Sequence, residues 1–246
     1  MEALAWTKDL CEKDRTVVDL INNRLQKEGK SIKCQRLAGD VYVARFVRAR
    51  KHVLEDCLEL LLANLKWREE NNVDDILETF PKTDVGKKLL SFWPNQQAGH
   101  HENGRLIVHE HMCLLDPVEL LENFTLDDLV RLHIYFVERD LQALFDHSCK
   151  VGKPCTEVIV LENMRGLGFR HLGSSVIDMM KAVLAVDAVN YPELLGGMLV
   201  VNAPSIVSLG WRLLKPFVDA DTQGKIQIHG NNWNSAEQLI SVLPMV

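Results

Sequence analysis

The chain has 246 residues, of which 47% are hydrophobic and 25% charged, and its 28 basic and 34 acidic residues give a formal net charge of −6. Intrinsic disorder is excluded, because so apolar a sequence can offset its ordering entropy by burying a core. The acidic balance also excludes a protein that is basic overall in the manner of many nucleic-acid binders, and we predict no nucleic-acid partner. The length suits one large domain, or one domain with a smaller addition.

Targeting signals are missing from the sequence pattern. Residues 1–9 contain neither the positively charged start nor the apolar run of a signal peptide, and no stretch approaches the ~18 consecutive apolar residues of a membrane span. The six cysteines are scattered and form no Cys-x-x-Cys pair. We therefore expect a cytoplasmic protein with reduced thiols.

The first hundred residues have the apolar spacing of helices. This spacing predicts helices over residues 7–27, around residues 43–47 and over residues 54–70. Two prolines then mark a loop-rich connection, and the polar segment 96–104 is typical of a turn.

Beyond residue 104, strand and helix patterns alternate. Strands are predicted at 105–111, 158–161, 198–201 and 226–228, and helices from Thr125 to about 144 and at 174–189, 204–217 and 235–242. Thr125 with Asp128 is a capping signal for the first of these helices. The alternation predicts an α/β fold, with a mostly parallel or mixed sheet, helical crossovers and the N-terminal helices as a separate layer.

Markers of the common α/β enzymes are lacking. Gly166-Leu167-Gly168 follows a buried strand, but His171 occupies the position of the third glycine in a dinucleotide-binding fingerprint. The sequence contains no phosphate loop and no Gly-x-Ser-x-Gly elbow. We therefore predict no catalytic residue, no cofactor and no enzymatic activity.

A group of histidines raises the question of a metal site. Four fall within twelve residues: His100, His101, His109 and His111. Zinc could use the last two together with Glu102 or Asp116, but the first two lie beside glycines in the expected turn. Surface and strand histidines explain the pattern better, so no metal is predicted.

Two other segments allow more than one interpretation. The basic cluster of Arg45, Arg48, Arg50 and Lys51 is either a solvated helix face or an anion site, because arginine matches the geometry of phosphate oxygens. Residues 204–217 are apolar nearly all round, which suits either core packing or a helix that lies on a membrane.

Several separate stretches resemble one family. They are Arg45-Phe46-Val47-Arg48-Ala49-Arg50-Lys51, Trp67-Arg68-Glu69-Glu70, Gly166-Leu167-Gly168 followed by His171-Leu172, Tyr191-Pro192-Glu193, Leu195-Gly196, Asn202-Ala203-Pro204, Trp211, Lys215-Pro216-Phe217 and Lys225-Ile226. Over about residues 37–244 the chain resembles the CRAL-TRIO family, in the group of phosphatidylinositol/phosphatidylcholine transfer proteins.

The resemblance implies an N-terminal helical region over residues 1–80 and a lipid-binding domain over residues 81–246. The ligand it implies is a phosphatidylinositol-type lipid in an apolar pocket, with its headgroup met by Arg50, Lys51, Glu193 and Lys225. It also implies a mobile gating helix within residues 204–225, whose apolar members are Ile206, Leu209, Trp211, Leu213, Leu214 and Phe217. Such a protein is a non-enzymatic carrier, cytoplasmic and transiently associated with a membrane surface, and we expect a monomer with no cofactor other than the bound phospholipid.

The sequence departs from the family pattern in one informative place. Val158 and Val160 occupy positions where phosphatidylcholine-binding members have hydroxyl residues, which argues against choline-lipid binding by that route. Two other functions stay open. One is a carrier of a different hydrophobic molecule, such as a retinoid, a tocopherol or a sterol precursor. The other is a non-catalytic interaction module whose pocket is filled by side chains.

Overall fold

A computed structural model describes residues 6–32, 34–37, 39–93, 95–111 and 114–230 of the chain. In this part of the chain, five helices precede the sheet: α1 (Glu12–Lys27), α2 (Asp40–Ala49), α3 (Leu54–Glu70), α4 (Ile76–Thr79) and α5 (Asp84–Phe92). A short 3-10 turn, Trp6–Asp9, stands before α1, and another, Gln35–Leu37, before α2.

The rest of the described chain alternates strands and helices as predicted. Its elements are β1 (Asn95–His100), β2 (Leu106–Glu110), α6 (Pro117–Asn123), α7 (Leu126–Val151), β3 (Val158–Asn163), α8 (Ser174–Asn190), β4 (Leu195–Val201), α9 (Ile206–Leu214), α10 (Ala220–Gly224) and β5 (Ile226–Ile228). The helix predicted at 235–242 lies outside the described residues.

One five-stranded mixed sheet has the order β1-β2-β3-β4-β5. β1 runs antiparallel to β2, and the pairs β2–β3, β3–β4 and β4–β5 are parallel. This arrangement confirms the predicted α/β fold, with its parallel strands joined by helical crossovers.

The turn predicted over residues 96–104 was wrong for residues 96–100, because Asn95–His100 is the edge strand β1, and right for residues 101–104, where the Gly104 N–H donates to the His101 carbonyl at 2.8 Å. The four central residues of β1 are exposed. An edge strand that is solvated on both faces needs no alternation of apolar and polar side chains, so the pattern that reveals strands is missing from it. The polar segment pairs with β2 through its backbone and through a side-chain hydrogen bond from Asn95 to Glu110.

Local sequence signals account for most helix boundaries. Thr125 and Asp128 form the predicted capping box of α7, and Gly152 ends this helix in the left-handed conformation, at φ 71°. Cys11 caps α1, with its Sγ accepting from the Asp14 N–H at 3.5 Å, and this cap separates α1 from the preceding 3-10 turn. The glycines at the start of β4 interrupt its apolar run, which explains why this strand was predicted to begin at 198 rather than at Leu195.

A fully buried carboxylate joins the N-terminal helices to the sheet-bearing part of the chain. Glu138 of α7, with 0% exposure, accepts from Arg36 Nε at 2.6 Å and from the Arg68 guanidinium at 2.6 and 3.0 Å. The Tyr191 hydroxyl donates to the same carboxylate at 2.9 Å. A single buried apolar cluster also includes side chains from both parts. The division of the chain at residue 80 stays a prediction.

We expect Glu138→Gln to lower the free energy of unfolding by about 3–5 kcal/mol, because it leaves the buried Arg36 guanidinium without a carboxylate and the buried Arg68 guanidinium with Asp74 alone, at 2.7 Å. Urea titration at neutral pH measures this difference. Asp146→Asn is the matched control, since Asp146 is an exposed carboxylate on the same helix, and we expect a change within about 0.5 kcal/mol. Equal effects of the two substitutions would contradict a special role for Glu138.

Candidate functional site

The Arg50–Lys51 pair lies on a tight turn at the end of α2. Arg50 is the C-cap residue, and Lys51 and His52 both adopt left-handed conformations, at φ 49° and 68°. Such conformations are uncommon for residues other than glycine. The His52 N–H donates to the Val47 carbonyl at 2.9 Å, which reverses the chain direction directly after the helix.

Asp14 of α1 holds this turn in place. Its buried carboxylate accepts from Arg48 at 2.7 Å and lies 2.7 Å from His52 Nε2. Burial alone would raise the pKa of Asp14, but the hydrogen bonds from Arg48 and His52 outweigh it, so the pKa of this carboxyl is lowered. Arg48 and His52 are therefore occupied by a structural contact.

Arg50 and Lys51, which lie between Arg48 and His52 in the sequence, have different surroundings. The Arg50 guanidinium donates to the neighbouring Ala49 carbonyl at 3.3 Å. In the described part of the chain, no carboxylate lies within 4.0 Å of Arg50 Nη or Lys51 Nζ. Within the described residues, the turn thus presents two adjacent positive charges with no directly paired carboxylate.

Glu193 and Lys225, two of the four predicted headgroup residues, lie in contact. Lys225 Nζ lies 3.5 Å from Glu193 Oε2, and both side chains are partly exposed, at 22% and 33%. Glu193 lies two residues before β4, and Lys225 directly precedes β5. Because β4 and β5 are parallel neighbours, the two side chains lie at the amino-terminal edge of the same sheet.

Arg45 links the two halves of this region. From the middle of α2, its guanidinium donates to the backbone carbonyls of Glu193, at 3.1 Å, and Thr156. Arg50 and Lys51 make no described hydrogen bond or ion pair with Glu193 or Lys225. Within the described residues, the structure therefore shows the Glu193–Lys225 contact directly and connects α2 to Glu193 only through Arg45.

Sequence reasoning missed two of these roles. Arg45 was one member of a basic cluster, and nothing in its local pattern separates it from Arg50. Asp14 carried no motif at all. Their contacts span 148 and 34 residues of sequence, so no periodicity could have shown them.

The predicted gating segment is a helix, a 3-10 turn and a second short helix. α9 is followed by the 3-10 turn Lys215–Phe217, which contains Pro216, and Asp219 caps α10. Leu209, Leu213 and Phe217 recur every fourth residue and are 37%, 45% and 51% exposed, which gives the segment an apolar outer stripe. The other apolar members, Ile206, Trp211 and Leu214, are half-buried.

Inward contacts of this segment are few and small. Val207 and Gly210 are buried, and Leu172 packs so closely on Gly210 that an added Cβ would lie 3.0 Å from its Cδ2. Lys181 of α8 lies over the Phe217 ring, with Nζ 5.1 Å from the centroid. The segment is thus held against α8 and residues 169–172 without a large interlocking core.

A small cavity lies beside Arg45 rather than under the gating segment. Its volume is about 40 Å³, and its lining includes Arg36, Tyr42, Arg45, Ser148 and Thr156. This space suits one or two water molecules and is far too small for an acyl chain.

The histidines do not form a metal centre among the described residues, where no group of three His, Cys, Asp or Glu side chains has the necessary arrangement. His100 instead stacks on His147 at 3.8 Å between ring centroids, and His109 lies 4.1 Å from His111. Burial, together with the neighbouring histidine, lowers the pKa of His100 and of His109. No described helix is long and apolar enough to cross a membrane.

The described structure is an α/β fold with a cationic turn after α2, a glutamate–lysine pair at the sheet edge and a half-exposed apolar helix. The sequence profile of the CRAL/TRIO domain matches residues 94–244, more than half of the chain. The chain therefore belongs to the CRAL/TRIO domain family. The fold agrees with this assignment, since the crystal structure of Sfh5 aligns with a TM-score of 0.70 at 18% identity, covering 89% of this chain and 81% of that one.

Named relatives indicate the branch of the family that this chain resembles. It is 29% identical over 193 residues to the phosphatidylinositol/phosphatidylcholine transfer protein SFH12 of Arabidopsis thaliana, covering 78% of this chain and 35% of that protein. It is 30% identical over 196 residues to SFH9 of the same plant, which has the same descriptive name, covering 78% and 33%. It is also 29% identical over 186 residues to the protein real-time of Aedes aegypti, covering 76% and 28%.

The chain thus spans about a third or less of the length of these relatives. Membership of the family agrees with the prediction of a non-enzymatic protein, because its transfer proteins are lipid carriers. The assignment of the four headgroup residues is not tested by these likenesses and is a proposal.

We expect Asp14→Asn to lower the free energy of unfolding at pH 7 by about 1–3 kcal/mol, because it weakens charge-assisted hydrogen bonds to Arg48 and His52. The folded-state pKa of Asp14 is lowered, so its stabilisation is present above the ordinary pKa of a carboxyl group and is lost as the pH falls below it. The difference from the parent protein should therefore shrink in acid, as urea titrations at a series of pH values measure. Asp19→Asn, an exposed change on the same helix, should show little difference at any pH.

Proposed function

We propose that this protein binds a phosphatidylinositol-type lipid and exchanges it with membranes. The observation that carries this proposal is the presence in one CRAL/TRIO chain of a cationic turn at the end of α2, Arg50–Lys51, and of the Glu193–Lys225 pair, whose Glu193 carbonyl accepts from Arg45 of the same helix. The names of the relatives SFH12 and SFH9 point to the same class of ligand.

The chemistry of the four side chains suits this headgroup. A phosphodiester needs cationic donors, and Arg50, Lys51 and Lys225 supply them, while the inositol hydroxyls need an acceptor such as the Glu193 carboxylate. The ion pair between Glu193 and Lys225 is long, at 3.5 Å, and partly exposed. Pairs of this kind stabilise a protein little, so a headgroup can replace the contact at small cost.

The acyl chains need an apolar surface, and the sheet and α8 provide one. Val160, Met198 and Ile226 occupy the same level of three neighbouring strands and are half-buried. Val176 and Met180 of α8 are half-buried as well. Burial of a lipid chain against such side chains is favourable by about 0.8 kcal/mol for each methylene group.

The gating segment supplies the membrane contact in this proposal. Its outer stripe of Leu209, Leu213 and Phe217 is accompanied by the exposed cations Arg212 and Lys215, and residues 203–218 contain no acidic side chain. An apolar stripe flanked by basic residues is the composition of a helix that lies at a membrane interface. A transient membrane partner, a cytoplasmic location and a monomeric state belong to the same proposal.

Transfer of labelled phosphatidylinositol between vesicles tests the function. We expect transfer well above the rate with vesicles alone, and we expect Arg50→Ala and Lys225→Ala to weaken phosphatidylinositol binding by about 1.5–3 kcal/mol each, the contribution of a charge-assisted hydrogen bond. Their melting temperatures should stay close to that of the parent protein, because neither cation belongs to the buried network.

Lys153→Ala is the control for these variants, since Lys153 is an exposed lysine outside the four headgroup positions. Transfer no faster than the vesicle blank would refute the proposed function. An unaltered affinity in either headgroup variant would refute the assignment of that residue. Native mass spectrometry of the purified protein distinguishes the alternatives, since a retinoid, a tocopherol or a sterol precursor has a characteristic mass and an interaction module would retain no lipid.

Phosphatidylcholine should be a poor ligand by comparison. Val158 is buried and Val160 half-buried on the central strand β3, and neither can donate a hydrogen bond to a phosphate, whose burial without partners is costly. We expect the double substitution Val158→Ser and Val160→Thr to raise phosphatidylcholine transfer with little change for phosphatidylinositol, as measured with both lipids in the same vesicle assay.

The double substitution Val158→Ala and Val160→Ala reduces the apolar volume without adding a hydroxyl group and serves as the control. Efficient phosphatidylcholine transfer by the parent protein would show instead that the choline lipid is held elsewhere.

A further inference from the structure

Arg45 is a buried cation with an unusual set of partners. It is 7% exposed, and its guanidinium donates to two backbone carbonyls, those of Glu193 and Thr156. Among the described residues, no carboxylate lies within ion-pair distance of it. Burial lowers the pKa of Arg45 to about 10, so the group is still charged at neutral pH. Burial of a charge whose partners are only backbone oxygens costs free energy. The positions of the two acceptor carbonyls therefore indicate which part of the fold Arg45 holds.

Both acceptors lie where a strand of the central sheet begins. Thr156 is two residues before β3 and Glu193 is two residues before β4. The segments that lead into β3 and β4 are already joined, because the Val158 N–H donates to the Leu194 carbonyl at 2.9 Å. The Arg45 guanidinium spans this junction from α2 and ties both chain segments to the same helix.

The backbone of Glu193 needs such support. Its φ is 54°, a left-handed conformation that costs about 1–2 kcal/mol for a residue with a side chain and persists where the surrounding structure holds it. In this conformation, the carboxylate faces Lys225 at 3.5 Å. The hydrogen bond from Arg45 to the Glu193 carbonyl therefore holds the backbone of the residue whose carboxylate must be oriented toward the headgroup.

We infer that Arg45 is a positioning residue for the headgroup site, which sets the place of the Glu193 carboxylate relative to the Arg50–Lys51 turn. Arg45 and Arg50 belong to one helix and its cap and are separated by about 7.5 Å along the axis, so α2 acts as the spacer between the two halves of the site. This inference rests on the proposed function for the identity of the ligand. Recognition of a phosphate and a polyol together needs both halves held to within about 0.5 Å.

Arg45→Lys tests the inference, because lysine keeps the charge but lacks the planar fork that reaches two carbonyls. We expect phosphatidylinositol affinity to fall by about tenfold, a typical effect of one lost charge-assisted contact. In a Glu193→Gln background, the same substitution should have almost no further effect, since a residue that acts through Glu193 is not additive with it. Arg45→Gln, which retains amide donors, replaces Arg45→Lys where the lysine variant does not fold.

Hydrogen–deuterium exchange supplies a measurement that needs no lipid. We expect faster exchange in peptides covering residues 191–197 of the Arg45 variant, and in those covering the segment around Thr156, with strands β1, β2 and β5 unchanged. Arg48→Lys is the matched control, because Arg48 lies on the same helix and its guanidinium donates to the Asp14 carboxylate of α1 rather than to the segment before β4. When the control and the Arg45 variant lose the same amount of stability, exchange over residues 191–197 should be closer to that of the parent protein in the control.

Unchanged exchange over residues 191–197 in the Arg45 variant overturns the inference. Additive losses of affinity in the Arg45 and Glu193 variants also overturn it, since they indicate a general structural role. Absence of phosphatidylinositol binding by the parent protein refutes the proposed function instead, and the exchange measurement then decides alone whether Arg45 holds the Glu193 turn.

Discussion

The buried carboxylate of Glu138 is the contact on which the arrangement of the molecule depends. This carboxylate accepts hydrogen bonds from Arg36, Arg68 and Tyr191, which belong to three separate segments. Burial lowers the pKa of Arg68 but the Glu138 carboxylate raises it by more, so its pKa is raised overall. Burial and the same carboxylate also raise the pKa of Tyr191 well above its usual value, which keeps the phenol protonated as a donor. Because Tyr191 is two residues before Glu193, this network anchors the segment that carries the candidate headgroup carboxylate.

Helix α2 shows how one basic motif divides its work between structure and recognition. Arg48 is held by Asp14 and Arg45 by backbone carbonyls of the sheet edge, and Asn22 of α1 donates to Asp40 at the start of the helix at 2.7 Å. These contacts fix the rotation of α2 about its axis and its position along that axis. Arg50 and Lys51 therefore lie on a turn of defined conformation. The sequence allowed two interpretations of the basic cluster, a solvated helix face or an anion site. The structure adds a third role, because Arg45 and Arg48 hold α2 to neighbouring segments.

Sequence reasoning reached the parts of the molecule that depend on local pattern. The Leu54–Glu70 helix and the Ile226–Ile228 strand have the predicted bounds, because a local apolar pattern marks each of them, a buried stripe on the helix and an alternation of Ile and Gln in the strand. The edge strand β1 was missed because a solvated strand carries no such spacing. The quartet came from the family resemblance, and its role in headgroup binding stays a prediction, although two of its members, Glu193 and Lys225, lie in contact. The roles of Arg45 and Asp14 depend on tertiary contacts between distant segments, for which a single sequence contains no signal.

The segment between β4 and β5 is connected to the sheet at both of its ends. At the first end, Asn202 has a left-handed backbone, at φ 53°, and donates to Asn163 at the end of β3 at 3.1 Å. At the second end, Lys225 pairs with Glu193. Between these points, contacts are modest, with Gly210 against Leu172 and Lys181 over Phe217. In the proposed function, a headgroup that engages Glu193 and Lys225 acts directly on the second of these connections, and the weakness of that ion pair is what makes its replacement by a ligand inexpensive.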